Sequence, residues 1–369
     1  MKKYNIAVVP LDGIGRELHP MAVELLKRTQ QIINGFELDF QWYEAGQEFA
    51  SKTGRLVPDG FFENMCEADA MFNGSAGFFN EEKIKVQAED SETVGRLPQY
   101  FRVKMGNKVG LRPIKLMKGV PTVLANRDEI DILLLREIAE GGYVSPGKVL
   151  CSDNVAYDTS VVTRATAENL AHYAFQAARK RNGRLMDGKK MVTFGGKPSA
   201  SCILAFYSKI FREIALQYSD IEYQDLDIDM VCEQIIKGPD RFDVVVTENM
   251  CGDIVSDIGA CISGGMGVMA TADIGGITPH FRPNHGTFPT GVGKNRANPT
   301  ATILTAALML DTLGDQNNDD SMRAGANLIR TAVEINYAKG GARTKDLGGA
   351  AGTVEVVNSI ADTLEKVKI

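Results

Sequence analysis

Short apolar runs alternate along the chain with longer segments in which apolar residues recur at helical spacing. Residues 6–9 form such a run, which ends at Pro10, and residues 17–34 then place Leu18, Met21 and Leu25 three or four positions apart. A short β-branched run favours a buried strand, and the longer periodic segment favours an amphipathic helix. The pattern predicts a strand, a loop and a helix at the start of the chain.

The same alternation continues to the end of the sequence. Further strands are predicted at residues 70–72, 121–124, 132–135, 191–194 and 242–247. Further helices are predicted at residues 166–180, 199–217, 301–313, 321–338 and 353–367. Strands that alternate with helices indicate an α/β fold whose sheet is covered on both faces. Because 369 residues exceed one simple core and no low-complexity linker divides them, we expect two lobes that share segments.

The charge distribution argues against a nucleic-acid partner. The formal net charge is −6 and the basic residues are scattered, so the chain offers no basic field to a polyphosphate. The first ten residues, MKKYNIAVVP, lack the apolar length and the cleavage site of a signal peptide, and no 18-residue apolar stretch occurs. We therefore expect a cytoplasmic protein without a membrane contact.

Cysteine and histidine usage restricts the metals that are expected. Six cysteines are spread without a CxxC pair, which favours reduced, mostly buried thiols over disulfides or a zinc site. The four histidines are far apart in the sequence, which disfavours a zinc or iron centre built on imidazoles. Any metal should be a hard cation bound through oxygen.

Carboxylates with suitable spacing occur in the segment GDIVSD. Asp253 and Asp257 stand four residues apart and would project from one face of the first turn of a helix. Like charges at this spacing repel, so they require full exposure or a cation, and an N-cap followed by a solvated acid is the structural alternative. Asp229, at the end of a predicted strand in DLDIDMVCEQ, could be a third ligand of Mg²⁺ or Mn²⁺.

Three arginines and two proton-carrying side chains complete the candidate chemistry. Arg102, Arg112 and Arg136 stand beside apolar residues, as at strand ends, and together would bind a di- or tricarboxylate. Each of them alone is more commonly a structural ion pair. Tyr143 and Lys197 follow glycine pairs and are a candidate acid and base if nearby positive charge lowers their pKa values. A surface lysine on a turn is the alternative for the second.

Neither of the common nucleotide-binding motifs is present. GGMGVM lacks the final glycine of GxGxxG, and GGKPSA is too short for a phosphate-binding P-loop. A standard Rossmann site is therefore not expected.

Five segments, taken in order, carry a resemblance to a known enzyme family. They are PLDGIG at 10–15, LRP at 111–113, RExxxGGY at 136–143, TENMCGDIVSD at 247–257 and HGTFPTGVGKNRANPTA at 285–301. GDIxSD followed by HGxxPxxxGKxxANP is a specific combination. Over nearly its whole length the chain resembles the isocitrate and isopropylmalate dehydrogenase family.

The resemblance implies a two-lobed α/β enzyme that is distinct from the Rossmann fold. Residues 1–107 and 264–369 would form a large nucleotide-binding lobe, and residues 108–263 a small lobe with the dimer interface and the metal ligands. The enzyme would be a homodimer with shared active sites. It would oxidatively decarboxylate a small hydroxy di- or tricarboxylate with NAD(P) and Mg²⁺ or Mn²⁺.

The resemblance also implies roles for the candidate residues. Asp253 and Asp257 would bind the metal together with Asp229 of the partner subunit, and the three arginines would bind the substrate carboxylates. Lys197, also contributed by the partner, would take the proton of the hydroxyl group. Tyr143 would protonate the enolate that remains after loss of CO₂.

The segment 285–298 would hold the adenosine half of the cofactor, through His285, Gly286, Thr290 and Asn298. NAD-using relatives carry an aspartate where this chain has Thr290, and NADP-using bacterial isocitrate enzymes begin a Lys-Tyr pair there. The glutamate of the FEP motif is also replaced, by Arg282. Because no dedicated phosphate-binding pair is visible, NAD is favoured and NADP stays open.

In this family the helix before Arg102 normally determines the substrate, with leucines for isopropylmalate and serine with asparagine for isocitrate. This chain has Arg96 and Gln99 there, and a buried amide at Gln99 disfavours an isopropyl group. Arg96 would either meet an extra carboxylate or face solvent. Together with Leu11 in place of a glycine in PLDGIG, these changes indicate a divergent enzyme for a malate derivative, such as a tartrate-like acid.

Two other functions are compatible with these residues. A non-catalytic regulatory subunit of an isocitrate dehydrogenase-like complex would bind ligands without turnover, but the retention of Tyr143, Lys197 and the three aspartates argues against it. A metal-dependent lyase or decarboxylase that uses the nucleotide only transiently also stays open.

Overall fold

The computed structural model describes residues 1–77, 97–143, 150–151, 153–157 and 159–367. The chain divides into two compact units. The first contains Met1–Met105, Met117–Pro121 and Gly264–Ile369, and the second contains Gly106–Leu116 and Thr122–Ser263. Residues 117–121 thus join the terminal segments rather than the middle segment.

The described part of the chain alternates strands and helices. In chain order the strands are β1 (Lys2–Val9), β2 (Phe36–Trp42), β3 (Ala70–Asn73), β4 (Val109–Leu116), β5 (Ile130–Glu137), β6 (Leu150–Cys151), β7 (Ala156–Tyr157), β8 (Met191–Gly196), β9 (Glu222–Asp227), β10 (Val244–Thr247), β11 (Ala270–Ile274) and β12 (His280–Pro283). The helices are α1 (Gly15–Ile33), α2 (Gln47–Thr53), α3 (Phe61–Glu67), α4 (Leu97–Met105), α5 (Arg164–Lys180), α6 (Cys202–Ala215), α7 (Ile228–Lys237), α8 (Asn249–Ile262), α9 (Thr300–Asn317), α10 (Asp320–Ala338) and α11 (Thr353–Leu364). The predicted α/β class is confirmed.

The strands of the first unit follow the order β2, β1, β3, β12, β11. β1 is parallel to β2 and β3, β12 is parallel to β3, and β11 is antiparallel to β12. All residues of β3 and β11 are buried, as expected for strands with both faces covered. Helices α1, α9, α10 and α11 pack against one another in this unit.

The strands of the second unit follow the order β4, β5, β10, β8, β9. β4 is antiparallel to β5, and the other neighbouring strands are parallel. β8 and β10 are buried at every residue. Helix α5 contacts β5, β8 and β10, and helix α8 contacts β4, β5 and β10. Within the described residues, no helix is both long and apolar enough to cross a bilayer.

The strand predicted at 121–124 is wrong. The chain forms turns there, the Val123 side chain is 69% exposed, and the Thr122 hydroxyl donates to the Ile262 carbonyl oxygen at 2.6 Å. A short apolar run does not reveal whether a neighbouring strand is available for pairing. Within the described chain, residues 121–124 pair with no strand.

The expectation of mostly buried thiols is also wrong. The five cysteines whose side chains are described are free of disulfides, but none is buried. Cys66, Cys202 and Cys261 are exposed, and Cys232 and Cys251 are half-buried. Cysteine is small enough to sit at the ends and outer faces of helices without a large exposed apolar area.

Candidate functional site

Two buried arginines lie on neighbouring strands of the second unit. Gly110 of β4 stands opposite Arg136 of β5, and Arg112 stands opposite Leu134. Because side chains alternate between the faces of a strand, Arg112 and Arg136 share one face in diagonal positions. Arg136 is the next-to-last residue of its strand, whereas Arg112 lies in mid-strand, and their exposed fractions are only 3% and 1%.

Arg136 is held on both sides of its guanidinium group. Its Nε and Nη2 donate to Asn249 Oδ1 at 3.1 and 2.8 Å, and its Nη1 forms an ion pair with Asp253. Asn249 is itself 2% exposed and donates to the Glu140 carbonyl oxygen at 3.0 Å. The Tyr143 ring centre lies 5.8 Å from the guanidinium carbon. A candidate carboxylate-binding cation, a candidate metal ligand and a candidate proton donor are thereby brought together in one unit.

The acidic pair lies on α8, but deeper in the helix than predicted. The helix begins at Asn249, because the Glu248 carboxylate caps it by accepting from the Met250 and Cys251 amides at 3.0 and 2.6 Å. Asp253 and Asp257 are therefore beyond the first turn, still four residues apart on one face. Asp253 is half-exposed and Asp257 is exposed, so their oxygens can be reached by a ligand from solvent.

A glycine makes the contact between α8 and Arg136 possible. A Cβ at Gly252 would lie 2.7 Å from Arg136 Cγ and 2.5 Å from Thr247 Oγ1. Side-chain atoms do not approach this closely, so any larger residue would displace the arginine. The glycine of GDIVSD thus positions the cation next to the acids.

Lys197 and Asp229 form a second pair in this unit. Lys197 follows the end of β8, and its Nζ lies 2.9 Å from Asp229 Oδ1 and 3.8 Å from Asp227 Oδ2. Asp229 lies in the first turn of α7 and not in a strand, because Asp227 ends β9 and starts the helix. The hydrogen bond with Asp229 raises the pKa of Lys197 above its usual value. The lowered pKa that a base requires would need a further charge beside Asp229.

The described residues of a single chain contain no group of three or more His, Cys, Asp or Glu side chains that could hold a metal ion. Asp229 is accordingly not brought into one cluster with Asp253 and Asp257. The two acids of α8 supply only oxygen donors, which are the donors that Mg²⁺ and Mn²⁺ prefer.

Arg102 lies in helix α4 of the first unit and not at a strand end. It is 7% exposed, and its Nε donates to Asp273 Oδ2 of β11 at 2.7 Å. Its Nη2 is buried and has no hydrogen-bond partner in the described parts of the chain. Gln99 lies three residues earlier, on the same side of α4, and is half-buried. Arg96 lies outside the described residues.

The first unit contains a cavity of about 650 Å³ at the segment where the resemblance predicts the adenosine half of a cofactor, and we name it the adenosine cavity after that prediction. It is lined by Ile14, Gly267, His285, Gly286, Phe288, Arg296, Asn298, Lys345 and Asp346. Three of the four predicted cofactor residues are therefore in its wall. The fourth, Thr290, is exposed and is not among the lining residues.

His285 has one ring nitrogen that can accept a hydrogen bond from a ligand. Its Nδ1 lies 2.9 Å from the Gly286 carbonyl oxygen, which can only accept, so Nδ1 carries the proton and Nε2 is left as an acceptor. Nε2 is buried without a partner among the residues that the structure describes. Burial lowers the pKa of His285, which keeps the ring neutral.

Several residues in these sites were not predicted from the sequence. Asn249 could have been noticed as a polar residue within TENMCGD, but its contact with Arg136 spans 113 positions. Arg296, Lys345 and Asp346 line the adenosine cavity from two segments of the chain, and the second segment carries no recognisable motif. Only the folded chain brings them to the cavity that holds His285.

Comparisons with known proteins identify relatives over nearly the whole chain. The family model for isocitrate/isopropylmalate dehydrogenase matches residues 5–360. The chain is 34% identical to the 3-isopropylmalate dehydrogenase of Archaeoglobus fulgidus, over 99% of this chain and 100% of that protein. It is 33% identical to the decarboxylating D-malate dehydrogenase of Escherichia coli, over 98% of each.

A solved structure gives the same result for the fold. The isocitrate dehydrogenase of Methylococcus capsulatus superposes with a TM-score of 0.79 at 28% identity, over 98% of this chain and 99% of that one. Sequence motifs, fold and relatives therefore coincide over nearly the full length. The chain belongs to the isocitrate/isopropylmalate dehydrogenase family.

Proposed function

We propose that the protein oxidises a β-carboxylated 2-hydroxy acid, a derivative of malate, with a nicotinamide dinucleotide and Mg²⁺ or Mn²⁺, and releases the β-carboxylate as CO₂. The contact between Arg136 and Asp253 carries this proposal. It joins a buried cation for a substrate carboxylate to a candidate metal ligand, and the centre of the Tyr143 ring lies 5.8 Å from the Arg136 guanidinium carbon. Such a set is suited to a substrate that bears a carboxylate and chelates a metal.

The arginines would bind the substrate carboxylates. Arg112 and Arg136 share one face of the β4–β5 pair, and their burial strengthens an ion pair with an anion. Arg102 keeps one buried nitrogen, Nη2, for a further contact, although its Nε is engaged by Asp273.

Asp253 and Asp257 would hold the divalent cation, together with Asp229 of the partner subunit. The bound cation would supply Lewis-acid chemistry, which lowers the pKa of the substrate hydroxyl and stabilises the negative charge that develops on loss of CO₂. When the metal and the substrate bind, Arg136 would give up its ion pair with Asp253 and pair with a substrate carboxylate instead.

Lys197 and Tyr143 would move the protons. Lys197 would accept the hydroxyl proton at Nζ, after positive charge near Asp229 has weakened the contact that now raises its pKa. Tyr143, which is 42% exposed, would donate its phenolic proton to the carbon that has lost the carboxylate.

The adenosine cavity would bind the cofactor, whose nicotinamide supplies the hydride acceptor. Its volume of about 650 Å³ is in the range of small-molecule sites. The His285 Nε2 acceptor suits the amino group of adenine. A Cβ built at Gly286 would have no neighbouring atom of the described residues within 4 Å, so the cavity wall is open at this glycine.

The substrate side chain is more polar than an isopropyl group in this proposal. Gln99 lies on the same side of α4 as Arg102, so its amide would face the group that distinguishes one malate derivative from another. A polar amide suits a polar substituent better than a hydrocarbon one. D-malate and tartrate are therefore preferred candidates over isopropylmalate.

A homodimer is part of the proposal. Four large apolar side chains of the adjoining helices α7 and α8 are exposed by 38–57%, namely Met230, Ile236, Met250 and Ile254. An apolar face of this kind on a helix pair is typical of an oligomer interface. It lies on the helices that carry Asp229, Asp253 and Asp257, so a second copy would approach the metal ligands.

The test is the absorbance of reduced cofactor with NAD or NADP, Mn²⁺ and a panel of D-malate, tartrate, isocitrate, isopropylmalate and alkylmalates. Reduction that Lys197→Ala abolishes, and that Lys209→Ala on the exposed side of α6 leaves in place, would support the proposal. CO₂ should be released in equal amount. Absence of cofactor reduction for every acid, in a folded protein that binds them, would instead favour a non-catalytic subunit, and CO₂ release without net reduction would favour a lyase.

A further inference from the structure

The adenosine cavity carries more positive than negative charge. Arg296 and Lys345 line it as cations, Asp346 lines it as an acid, and His285 is neutral because burial lowers its pKa. The Asp346 carboxylate accepts from the Asn298 side chain at 2.9 Å, so part of its hydrogen-bonding capacity is already used. The balance of the wall is therefore cationic.

Two cations converge on the residue that precedes Gly291. Lys294 Nζ and Arg296 Nη2 both donate to the Thr290 carbonyl oxygen, at 3.0 and 2.5 Å. The Arg296 guanidinium also lies over the Phe288 ring, 5.1 Å from its centre, which fixes its direction along the cavity wall. Stacking and a single hydrogen bond leave most of its donors for a ligand.

These cations lack acidic partners. In the described chain, no carboxylate lies within ion-pair distance of Arg296, Lys294 or Lys345, and the segment 285–298 contains no Asp or Glu. A site that selects an unphosphorylated ribose uses a carboxylate to accept from its hydroxyls, and the same carboxylate repels a phosphate. A site that accepts the 2′-phosphate uses an arginine instead.

We propose that the cavity selects the dinucleotide that carries a phosphate on the 2′ oxygen of its adenosine ribose, with Arg296 as the principal phosphate-binding residue and Lys345 as a second cation. The inference rests on the proposed function, since it requires that this cavity hold the adenosine half of the cofactor. It reverses the preference for NAD that the missing Lys-Tyr pair suggested. A phosphate monoester carries between one and two negative charges at neutral pH, and the guanidinium fork binds it through two parallel hydrogen bonds.

The test is calorimetric titration of the purified full-length protein with two fragments, adenosine 2′,5′-bisphosphate and 5′-AMP. The bisphosphate should bind at least about tenfold more tightly, because a charged hydrogen-bonded contact is involved. Arg296→Gln should weaken the bisphosphate about tenfold or more and change 5′-AMP by less than about twofold. Arg296→Lys should recover part of the loss, since it restores the charge but not the fork.

Lys345→Gln should weaken the bisphosphate by a smaller factor than Arg296→Gln, and the matched control is Lys339→Gln. Lys339 is an exposed lysine at the end of α10 that does not line the cavity, so its replacement should change neither affinity. Equal or tighter binding of 5′-AMP by the wild-type protein would overturn the inference and leave the cofactor site standing. If neither fragment binds in the calorimeter, and neither NADH nor NADPH binds in fluorescence titrations, the cofactor site and the inference are both overturned.

Discussion

Single side chains hold Arg136, the proposed substrate-binding arginine of β5, in place. Asn249 accepts two hydrogen bonds from Arg136 and is buried, so it acts as a positioning residue and need not touch the substrate. Asn249→Ala would remove both of these hydrogen bonds from the Arg136 guanidinium group. Because hydrogen bonds to a charged group contribute about 1.5–3 kcal/mol, the KM for the hydroxy acid should rise about tenfold or more, with a smaller fall in kcat.

Steady-state kinetics on Asn249→Ala and Asn249→Asp test this role. The aspartate keeps an acceptor for Arg136 and should recover part of the KM effect. Asn182→Ala, at an exposed asparagine after α5, should behave as the wild-type enzyme. An unchanged KM in Asn249→Ala, with the fold intact, would mean that Arg136 does not need this support.

Glu137 shows how one buried acid couples stability to pH. It is 1% exposed, accepts from the Ala139 and Glu140 amides at 2.5 and 2.9 Å, and burial raises its pKa from 4.5 to about 7. Since the pKa is higher in the folded state, its stabilising contribution is present below about pH 4.5 and is lost as the pH rises through about 7. Over this window the wild-type protein should lose about 3 kcal/mol of unfolding free energy relative to Glu137→Gln.

Urea denaturation between pH 4.5 and 8 measures this difference. Glu63→Gln, at an exposed position of α3, should keep the wild-type profile. Parallel pH profiles of the wild type and Glu137→Gln would show that the acid is solvated or paired in the native state.

At the scale of elements, helix starts are set by caps that join distant parts of the chain. Asp319 Oδ1 accepts from the Ser321 and Met322 amides at 3.0 and 3.3 Å, and its Oδ2 accepts from the Tyr4 hydroxyl at 2.8 Å. Asp319→Ala removes the cap of α10 and the link to β1. The unfolding free energy should fall by about 2 kcal/mol in chemical denaturation.

Asp320→Ala is the matched control, because Asp320 is the next residue and its side chain is 95% exposed. Its loss should change the unfolding free energy by less than about 0.5 kcal/mol. Equal effects of the two substitutions would contradict the capping role of Asp319.

Long periodic segments were predictable at this scale, whereas the strands β11 and β12 were not predicted. The helix predicted at 321–338 corresponds to α10, which starts one residue earlier. It could be predicted because its apolar positions repeat over five turns. β11 and β12 have five and four residues and lie in a glycine-rich stretch, where no period can be read. Arg102 was misplaced for the same reason, since the nine residues of α4 were too few to reveal helical spacing beside the strand-like segment that follows.

At the scale of the whole molecule, the exposed apolar face of α7 and α8 predicts assembly. Ile254 is 57% exposed on α8, and Ile254→Glu would place a charge in the proposed dimer interface. The dissociation constant of the Ile254→Glu dimer should be at least about tenfold higher than that of the wild-type dimer, because burying an unpaired charge costs several kcal/mol. Sedimentation velocity over a concentration series measures this shift.

Val354→Glu provides the control, since Val354 is an exposed apolar residue, at 44%, on α11 of the other unit. It should leave the sedimentation coefficient unchanged. If both variants sediment as the wild type does, the contact between copies lies elsewhere.

By itself, the sequence determined the α/β class and the family and supplied most of the candidate site residues, because periodicity and motifs are local properties of the chain. The tertiary structure decided which of those residues meet. The pairing of Arg136 with Asp253 depends on strand register and on the close approach of Gly252, and the cationic adenosine cavity joins Arg296 to Lys345 across 49 positions. Contacts over such separations arise from packing, which no local pattern encodes, and both proposals about the site and its cofactor depend on them.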